Sequence, residues 1–174
     1  GLEIPYEIRV AAEVTLSDRL FQEIKELKRD FKGTVKKGEI DRIVEEARQY
    51  SYQLKQEEPL LILNGILNDK MKVLQKTITQ NLSNLPKTNL EQKEKVVEVI
   101  ELLDRVERWG FKLWKGEAQN LMEEIMDECV GGLEKCWWGN GVEKPFPANL
   151  ITLAEKLGFN VEKFSKITDL RGNI

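Results

Sequence analysis

The sequence contains no histidine among its 174 residues. Histidine is the usual general base of enzymes and a frequent metal ligand, so this absence excludes a Ser-His-Asp triad, a Cys-His dyad and a histidine-based zinc site within the chain. Glu124, Asp127 and Glu128 share one helical face, but a di-iron site of the bundle type also needs Glu-x-x-His on facing helices. We therefore expect no metal and no cofactor.

The sequence has only two cysteines, Cys129 and Cys136. They lie seven positions apart in a stretch with helical spacing, so their backbones should be about 10 Å apart along the helix. This distance is too long for a disulfide. We expect two free thiols in the core of a reduced, intracellular protein, and hence a cytoplasmic location.

Long hydrophobic runs are also absent, and the first ten residues lack the pattern of a signal peptide, so no membrane association is expected. The net charge of −3 gives no electrostatic reason to expect nucleic-acid binding. One locally basic run, KELKRDFKGTVKK at residues 25–37, is followed by the acidic EIDRIVEE. We interpret this run as solvated surface, with an anion-binding patch as the alternative.

Hydrophobic residues recur at helical spacing throughout, and no stretch alternates with period two for long enough to predict a strand. The longest stripe consists of Leu60, Leu63, Leu67, Met71, Leu74, Ile78 and Leu82. The pattern predicts an all-α bundle of about five to seven helices, with mostly antiparallel neighbours. We predict a bundle domain over 1–136, with a tryptophan-containing loop and short helices over 137–174 packing on the same domain.

Several local signals predict where the helices begin and end. Pro5 can occupy the first turn of the first helix, and Ser17 can form an N-cap at a bend. The segment between Gly33 and Gly38 reads as a connection. Gly110 and Gly158 can terminate helices. Further boundary signals are the break NLSNLPKTN at 81–89, a helix start at Pro147 and a last short helix in NVEKFSKI.

All four tryptophans fall between residues 109 and 138. We expect Trp109 and Trp114 to fill the joint between two packed helices, while exposure of Trp114 in a binding cleft is the alternative. Trp137 and Trp138 lie in a glycine-rich loop, where both cannot easily be buried in one core, so contact of one of them with a partner surface and packing within the chain are both open interpretations. The adjacent carboxylate pairs point in different directions on a helix, so we interpret them as solvated surface.

Three segments together resemble a family of known proteins. LWKGEAQNLMEEI resembles an "LW-x-AQN-LY" signature, from which it departs at residues 115–117, and IPYEIRVAAEVTLSDRLFQEI is similar to an "AAE-x-x-L-x-x-x-L" entrance. EIDRIVEEARQYSYQL resembles the "LLEEA" helix between them. These patterns belong to a helical domain found on the C-terminal side of glycoside hydrolase family 57-like proteins, and the likeness covers roughly residues 2–128.

The resemblance implies a non-catalytic accessory domain of an enzyme acting on α-glucans or related glycans. The catalytic carboxylates would belong to an N-terminal barrel, which would be the partner of this domain, with glycan as a second contact. Trp114, Gln119 and Asn120 would then face the barrel or a sugar, whereas the alternative is that the two amides satisfy free backbone groups. The Gly at position 1 favours an excised domain. The alternative function is a free-standing helical protein–protein interaction module.

Overall fold

A computed structural model describes residues 5–29, 34–81, 89–133 and 145–161. Within these ranges the regular structure consists of α-helices, with no strand, and the all-α prediction is confirmed. The six helices are α1 Tyr6–Arg29, α2 Thr34–Tyr50, α3 Glu57–Asn81, α4 Asn89–Trp109, α5 Gly116–Leu133 and α6 Pro145–Leu157.

The chain divides into two compact units. Unit 1 comprises the described residues within Gly1–Ile66 and Val106–Leu113, and unit 2 those within Leu67–Arg105 and Trp114–Ile174. Helices α3 and α4 each contribute residues to both units. The bundle domain over 1–136, with 137–174 packing on it, stays a prediction, because residues 134–144 lie outside the described ranges.

In unit 1, helices α1 and α2 pack against each other in antiparallel directions. Arg9, near the start of α1, donates to the backbone oxygen of Ser51 after the end of α2, at 2.7 Å. Farther along α1, Arg19 pairs with Glu39 near the start of α2, at 2.5 Å. The buried apolar side chains of these two helices are Leu16, Leu20, Ile24, Leu27, Ile40, Ile43, Val44 and Ala47.

Helix α1 runs without a break through Ser17, so the N-cap predicted there is wrong. The hydroxyl of Ser17 donates to the carbonyl of Glu13 at 2.6 Å and accepts the backbone N–H of Lys55 at 3.0 Å. A serine inside a helix can bond to the carbonyl four residues back, so a residue type that favours caps is accommodated in mid-helix. At the start of α1, Ile8 is exposed and does not belong to the core.

Helix α2 begins at Thr34, so Gly38 lies inside the helix and not at the end of a connection. A β-carbon at Gly38 would meet no described atom within 4 Å. Packing against the described residues therefore does not require glycine at this position, and its cost inside the helix is conformational entropy.

In unit 2, the long stripe of α3 is confirmed, because its members from Leu67 to Ile78 are fully buried. Asn68 and Gln75 of α3 donate to Glu117 and Glu124 of α5. Both pairs are offset by the same number of residues, so α3 and α5 run parallel. Between the consecutive helices α5 and α6, bonds join the start of α5 to the end of α6, which makes that pair antiparallel.

Helix α4 has a buried face and a half-buried edge in unit 2. Val96, Val99 and Leu102 are buried there, whereas Val97 and Ile100 are half-buried. Both sets have helical spacing, so the sequence pattern alone could not separate the centre of the apolar face from its edge.

Three helices end in the Schellman motif, in which a residue with positive φ directs the chain back over the last turn. Gly110 at φ 84° and Gly158 at φ 95° terminate α4 and α6 as predicted. The same pair of backbone bonds closes α2, where the left-handed position is held by Ser51 at φ 54°. The serine accepts a conformation that favours glycine, so the sequence offered no signal for this helix end.

Several sequence predictions concern residues outside the described ranges. They include the interior of the 81–89 break, most of the last short helix and Cys136. Cys129 lies in α5, but the predicted absence of a disulfide stays a prediction. At the N-terminal end of α6, the helix starts at Pro145, two residues earlier than predicted.

Candidate functional site

Trp109 is the last residue of α4, and its indole is buried in unit 1 with 5% of its surface exposed. The indole Nε1–H donates to the carboxylate of Asp41 in α2, at 2.5 Å. Arg48 of α2 also donates to the backbone oxygen of Arg108. A buried tryptophan usually finds a partner for its N–H, and here that bond ties the end of α4 to α2. The predicted role of Trp109 in a helix joint is confirmed.

Trp114 has the opposite environment, with 77% of its surface exposed, so the expectation that it fills a helix joint is wrong. The residue lies in the non-helical segment 111–115 between α4 and α5. Phe111, directly after the glycine that ends α4, is the aromatic residue of this segment that is buried. The hydrophobic position that follows a Schellman motif is thereby occupied by Phe111, and Trp114 is left at the surface.

The indole of Trp114 lies close to the backbone at the first residue of α5. A β-carbon placed on Gly116 would come within 3.3 Å of the indole Cε2 and Cζ2 atoms and 3.4 Å of Nε1. Such contacts are tighter than ordinary van der Waals packing. Glycine at position 116 therefore allows the indole to lie against the start of α5.

Three polar side chains continue from this indole along one face of α5. Asn120, Glu123 and Asp127 follow Gly116 at steps of four, three and four residues, and all three are exposed. Residues at this spacing share a helical face. We define the Trp114 face as Trp114, Asn120, Glu123 and Asp127. The sequence pattern favoured solvated surface for its two carboxylates and gave them no place in a binding site, although their spacing from Gly116 was a signal for this shared face.

Gln119 is half-buried and bonds within unit 2, so it does not belong to this face. Its side-chain amide donates to the backbone oxygen of Leu157 at 2.7 Å, and Lys115 Nζ donates to the oxygen of Lys156 at 2.6 Å. Both acceptors are terminal carbonyls of α6, which lack partners within their own helix. The interpretation of the amide as a partner for free backbone groups is correct for Gln119, whereas Asn120 remains exposed.

Glu117, next to Gly116, is occupied by two partners in α3. It accepts a hydrogen bond from Asn68 at 2.5 Å and pairs with Lys72 at 2.7 Å. The hydrogen bond to Glu117, together with the charge of that carboxylate, raises the pKa of Lys72. Glu117 thus holds α5 to α3, and its carboxylate already has two partners, whereas the neighbouring indole of Trp114 is exposed.

The Trp114 face has the chemistry of a binding surface. A flat indole offers an apolar, electron-rich face, while the amide and carboxylates accept hydrogen bonds from hydroxyl or ammonium groups. Glycoside hydrolysis instead uses two carboxylates facing each other across a cleft. Glu123 and Asp127 lie side by side on one exposed helical face. This arrangement suits recognition of a ligand and provides no facing pair.

The remaining predictions concern two further tryptophans, the carboxylate pairs, metal ligands and membrane spans. Trp137 and Trp138 lie outside the described residues, so both interpretations of them stay open. The carboxylate pairs Glu45–Glu46, Glu57–Glu58 and Glu123–Glu124 are exposed, as expected. Within the described ranges, no cluster of three side chains could hold a metal ion, and no helix there has the length and apolarity to cross a membrane.

No protein-family model, curated protein or solved structure matches the chain.

Proposed function

We propose that this chain is a non-catalytic helical binding module whose contact surface is the Trp114 face. The observation that carries the proposal is the 77% exposure of Trp114, a side chain that usually contributes more to stability when buried. Trp109, five residues earlier, shows that the same chain can bury an indole and satisfy its N–H. Exposed tryptophans are enriched at the energetic centres of binding surfaces.

The chemistry of the face favours a glycan. One side of a pyranose ring presents C–H groups that can stack on an indole, and its hydroxyls can donate to amide and carboxylate oxygens. Asn120, Glu123 and Asp127 supply such oxygens in a line that extends about 16 Å along α5 from Gly116. None of these three side chains pairs with another described residue, so each is available to a ligand.

The finer form of the proposal is an accessory domain of a glycoside hydrolase family 57-like protein, with α-glucan as ligand and an N-terminal barrel as partner. Its support is the resemblance of the three quoted segments. The reading frame upstream of Gly1 tests it: several hundred residues with barrel-like strand and helix periodicity support this form. A start codon close to Gly1 would contradict it.

Calorimetric titration of the chain with maltoheptaose tests the glycan form directly. We expect saturable, weak binding that Trp114→Ala abolishes and that Glu123→Ala reduces. Tyr6→Ala is the matched control, because Tyr6 is an aromatic residue of similar exposure, 76%, in unit 1. Absence of binding by the unaltered chain, or an equal loss in the Tyr6 variant, would contradict the glycan form.

The alternative is a protein–protein interaction module, favoured by a second exposed surface. Tyr6, Val10 and Val14 recur every four residues along α1, and all three are exposed. An exposed apolar stripe of this kind is typical of interaction sites. If partner binding depends on Tyr6→Ala and Val10→Ser and is insensitive to Trp114→Ala, this alternative replaces the first proposal.

A further inference from the structure

Unit 1 contains an open groove of about 460 Å³ between two helices. One wall is formed by Phe21, Lys25, Lys28 and Arg29 of α1. The other wall is formed by Glu58, Leu61 and Ile62 of α3. This volume is within the range of ligand-binding sites. The groove lies in a different unit from the Trp114 face, so it is independent of the function proposed above.

The walls are two matched helical stripes. Phe21, Lys25 and Lys28 follow each other at steps of four and three residues, and Leu61 and Ile62 follow Glu58 at three and four. Residues with these spacings share one helical face. The α1 stripe spans eight residues and is thus about 12 Å long, which matches two to three turns of a third helix laid between the walls.

The groove has an apolar surface that the described residues leave uncovered. Leu61 is 72% exposed, although it is a large aliphatic side chain in the second turn of α3. Phe21 and Ile62 are half-buried beside it. A small ligand in so open a groove would keep much of its own apolar surface in water, whereas a helix covers both walls together.

The charge of the groove is opposite to that of the chain. The whole chain has a net charge of −3, whereas the lining carries three cations and one carboxylate. Lys25 Nζ lies 5.3 Å from the ring centroid of Phe21, and Arg29 is paired with Glu26 at 2.6 Å. Lys28 has no ion-pair partner among the described residues. The cations all stand on α1, so the groove is asymmetric: one edge is basic and the other is mainly apolar.

We propose that this groove docks an acidic amphipathic helix of a partner protein. Apolar side chains of that helix, spaced by three and four residues, contact Phe21, Leu61 and Ile62. Its acidic face lies along α1 beside Lys25, Lys28 and Arg29. Lys25, Lys28 and Arg29, which belong to the basic run with the alternative interpretation of an anion-binding patch, are the cations of this site. Leu61 and Ile62 of α3 add apolar surface on the opposite wall.

Fluorescence anisotropy with two labelled helical peptides tests the proposal. Both peptides carry leucine at alternating steps of three and four residues, and the flanking positions hold glutamate in one and lysine in the other. We expect the chain to bind the acidic peptide at least about tenfold more tightly at low salt, with the difference shrinking as salt screens the charges. No saturable binding of the acidic peptide, or equal binding of both peptides, would overturn the proposal.

Variants localise the binding. Leu61→Ser should weaken the acidic peptide about tenfold, the size expected for one aliphatic contact. Lys28→Glu should have a similar effect at low salt and less at high salt. The matched controls are Val73→Ser, an exposed apolar residue elsewhere on α3, and Lys112→Glu, an exposed lysine outside the groove. These controls and Trp114→Ala should leave peptide binding unchanged.

Sedimentation with phosphatidylglycerol vesicles separates a protein partner from a lipid surface. We expect no vesicle binding that depends on Leu61 and Lys28. If the chain binds vesicles through these two residues and the acidic peptide does not compete, the groove is a lipid site and the proposal is wrong. A loss of peptide binding in Val73→Ser equal to that in Leu61→Ser would also contradict it.

Discussion

The surroundings of Trp109 and Trp114 differ in burial and in hydrogen bonding, although only a glycine and a short non-helical segment separate the two residues. Trp109 is buried, its N–H is bonded to Asp41, and the helix that carries it ends in a Schellman motif. Trp114 is exposed and lies against a glycine backbone. Trp109 belongs to the last turn of α4 and is core, whereas Trp114 belongs to the non-helical segment and is surface. The position of each tryptophan relative to the helix end therefore separates the two environments.

The largest expected difference between the two regions is the cost of removing each indole. Trp109→Ala should lower the free energy of unfolding by about 3–5 kcal/mol, the usual range for a buried large aromatic. The loss includes the hydrogen bond that Asp41 accepts. Urea melts followed by circular dichroism measure it. Trp109→Phe, which keeps a ring but not the N–H, should lose less, and an unchanged midpoint for Trp109→Ala would refute its role in the joint.

The glycine between the regions should have the next largest effect. Gly110→Ala should destabilise by about 1–2 kcal/mol, because φ is 84° and a β-carbon opposes the left-handed conformation. Among the described residues, the atom within 4 Å of the new β-carbon is Arg48 Nη2, at an ordinary contact distance of 3.6 Å, so the cost is in the backbone. Gly38→Ala is the control: it lies inside α2 and its new β-carbon meets no described atom within 4 Å, so it should stabilise by about 0.5–1 kcal/mol. Similar effects at both positions would contradict this explanation.

The neighbouring amides Gln119 and Asn120 test the boundary between the fold and the Trp114 face. Gln119→Ala should cost about 1 kcal/mol, since the oxygen of Leu157 loses its donor. Asn120→Ala should change stability by less than about 0.5 kcal/mol, because the side chain is exposed. Thermal melts of the two variants measure both changes in stability. A larger loss for Asn120→Ala than for Gln119→Ala would contradict the assignment of Gln119 to the fold and of Asn120 to the Trp114 face.

The smallest stability effect belongs to Trp114. Trp114→Ala should shift the free energy of unfolding by less than about 0.5 kcal/mol, as expected for an exposed side chain without a hydrogen-bond partner in the described residues. The same denaturant melts as for Trp109→Ala provide the measurement. A loss of several kcal/mol would mean that the indole is a structural element and would remove the observation on which the proposed function rests.

Much of this fold could be predicted from helical periodicity. The apolar stripe of α3 and the glycines that end α4 and α6 carried strong local signals, and the structure confirms them. The end of α2 at Ser51 carried none, because serine rarely adopts a positive φ. Ser17 carried the signal of an N-cap, but it lies inside α1, where its hydroxyl donates to the carbonyl of Glu13.

The candidate site was less predictable, for a physical reason. Phe111 follows Gly110 directly and takes the hydrophobic position after the helix end, but no local signal shows whether Trp114, in the non-helical segment beyond it, packs inward or stays at the surface. The role of Gln119 depended on where the last carbonyls of α6 would lie, which is information about a distant part of the chain. The groove required α1 and α3 to stand side by side, and no single sequence segment specifies that arrangement.

The most direct test of the Trp114 face as a binding surface is a maltoheptaose titration monitored by the indole N–H signals in a ¹H–¹⁵N NMR spectrum. Substitution of each tryptophan by phenylalanine assigns the four signals. The predicted result is a saturable shift of the Trp114 signal while the Trp109 signal, whose N–H is bonded to Asp41, stays in place. A Trp114 signal that does not move at millimolar ligand, or that moves no more than the Trp109 signal, would contradict glycan recognition by this face.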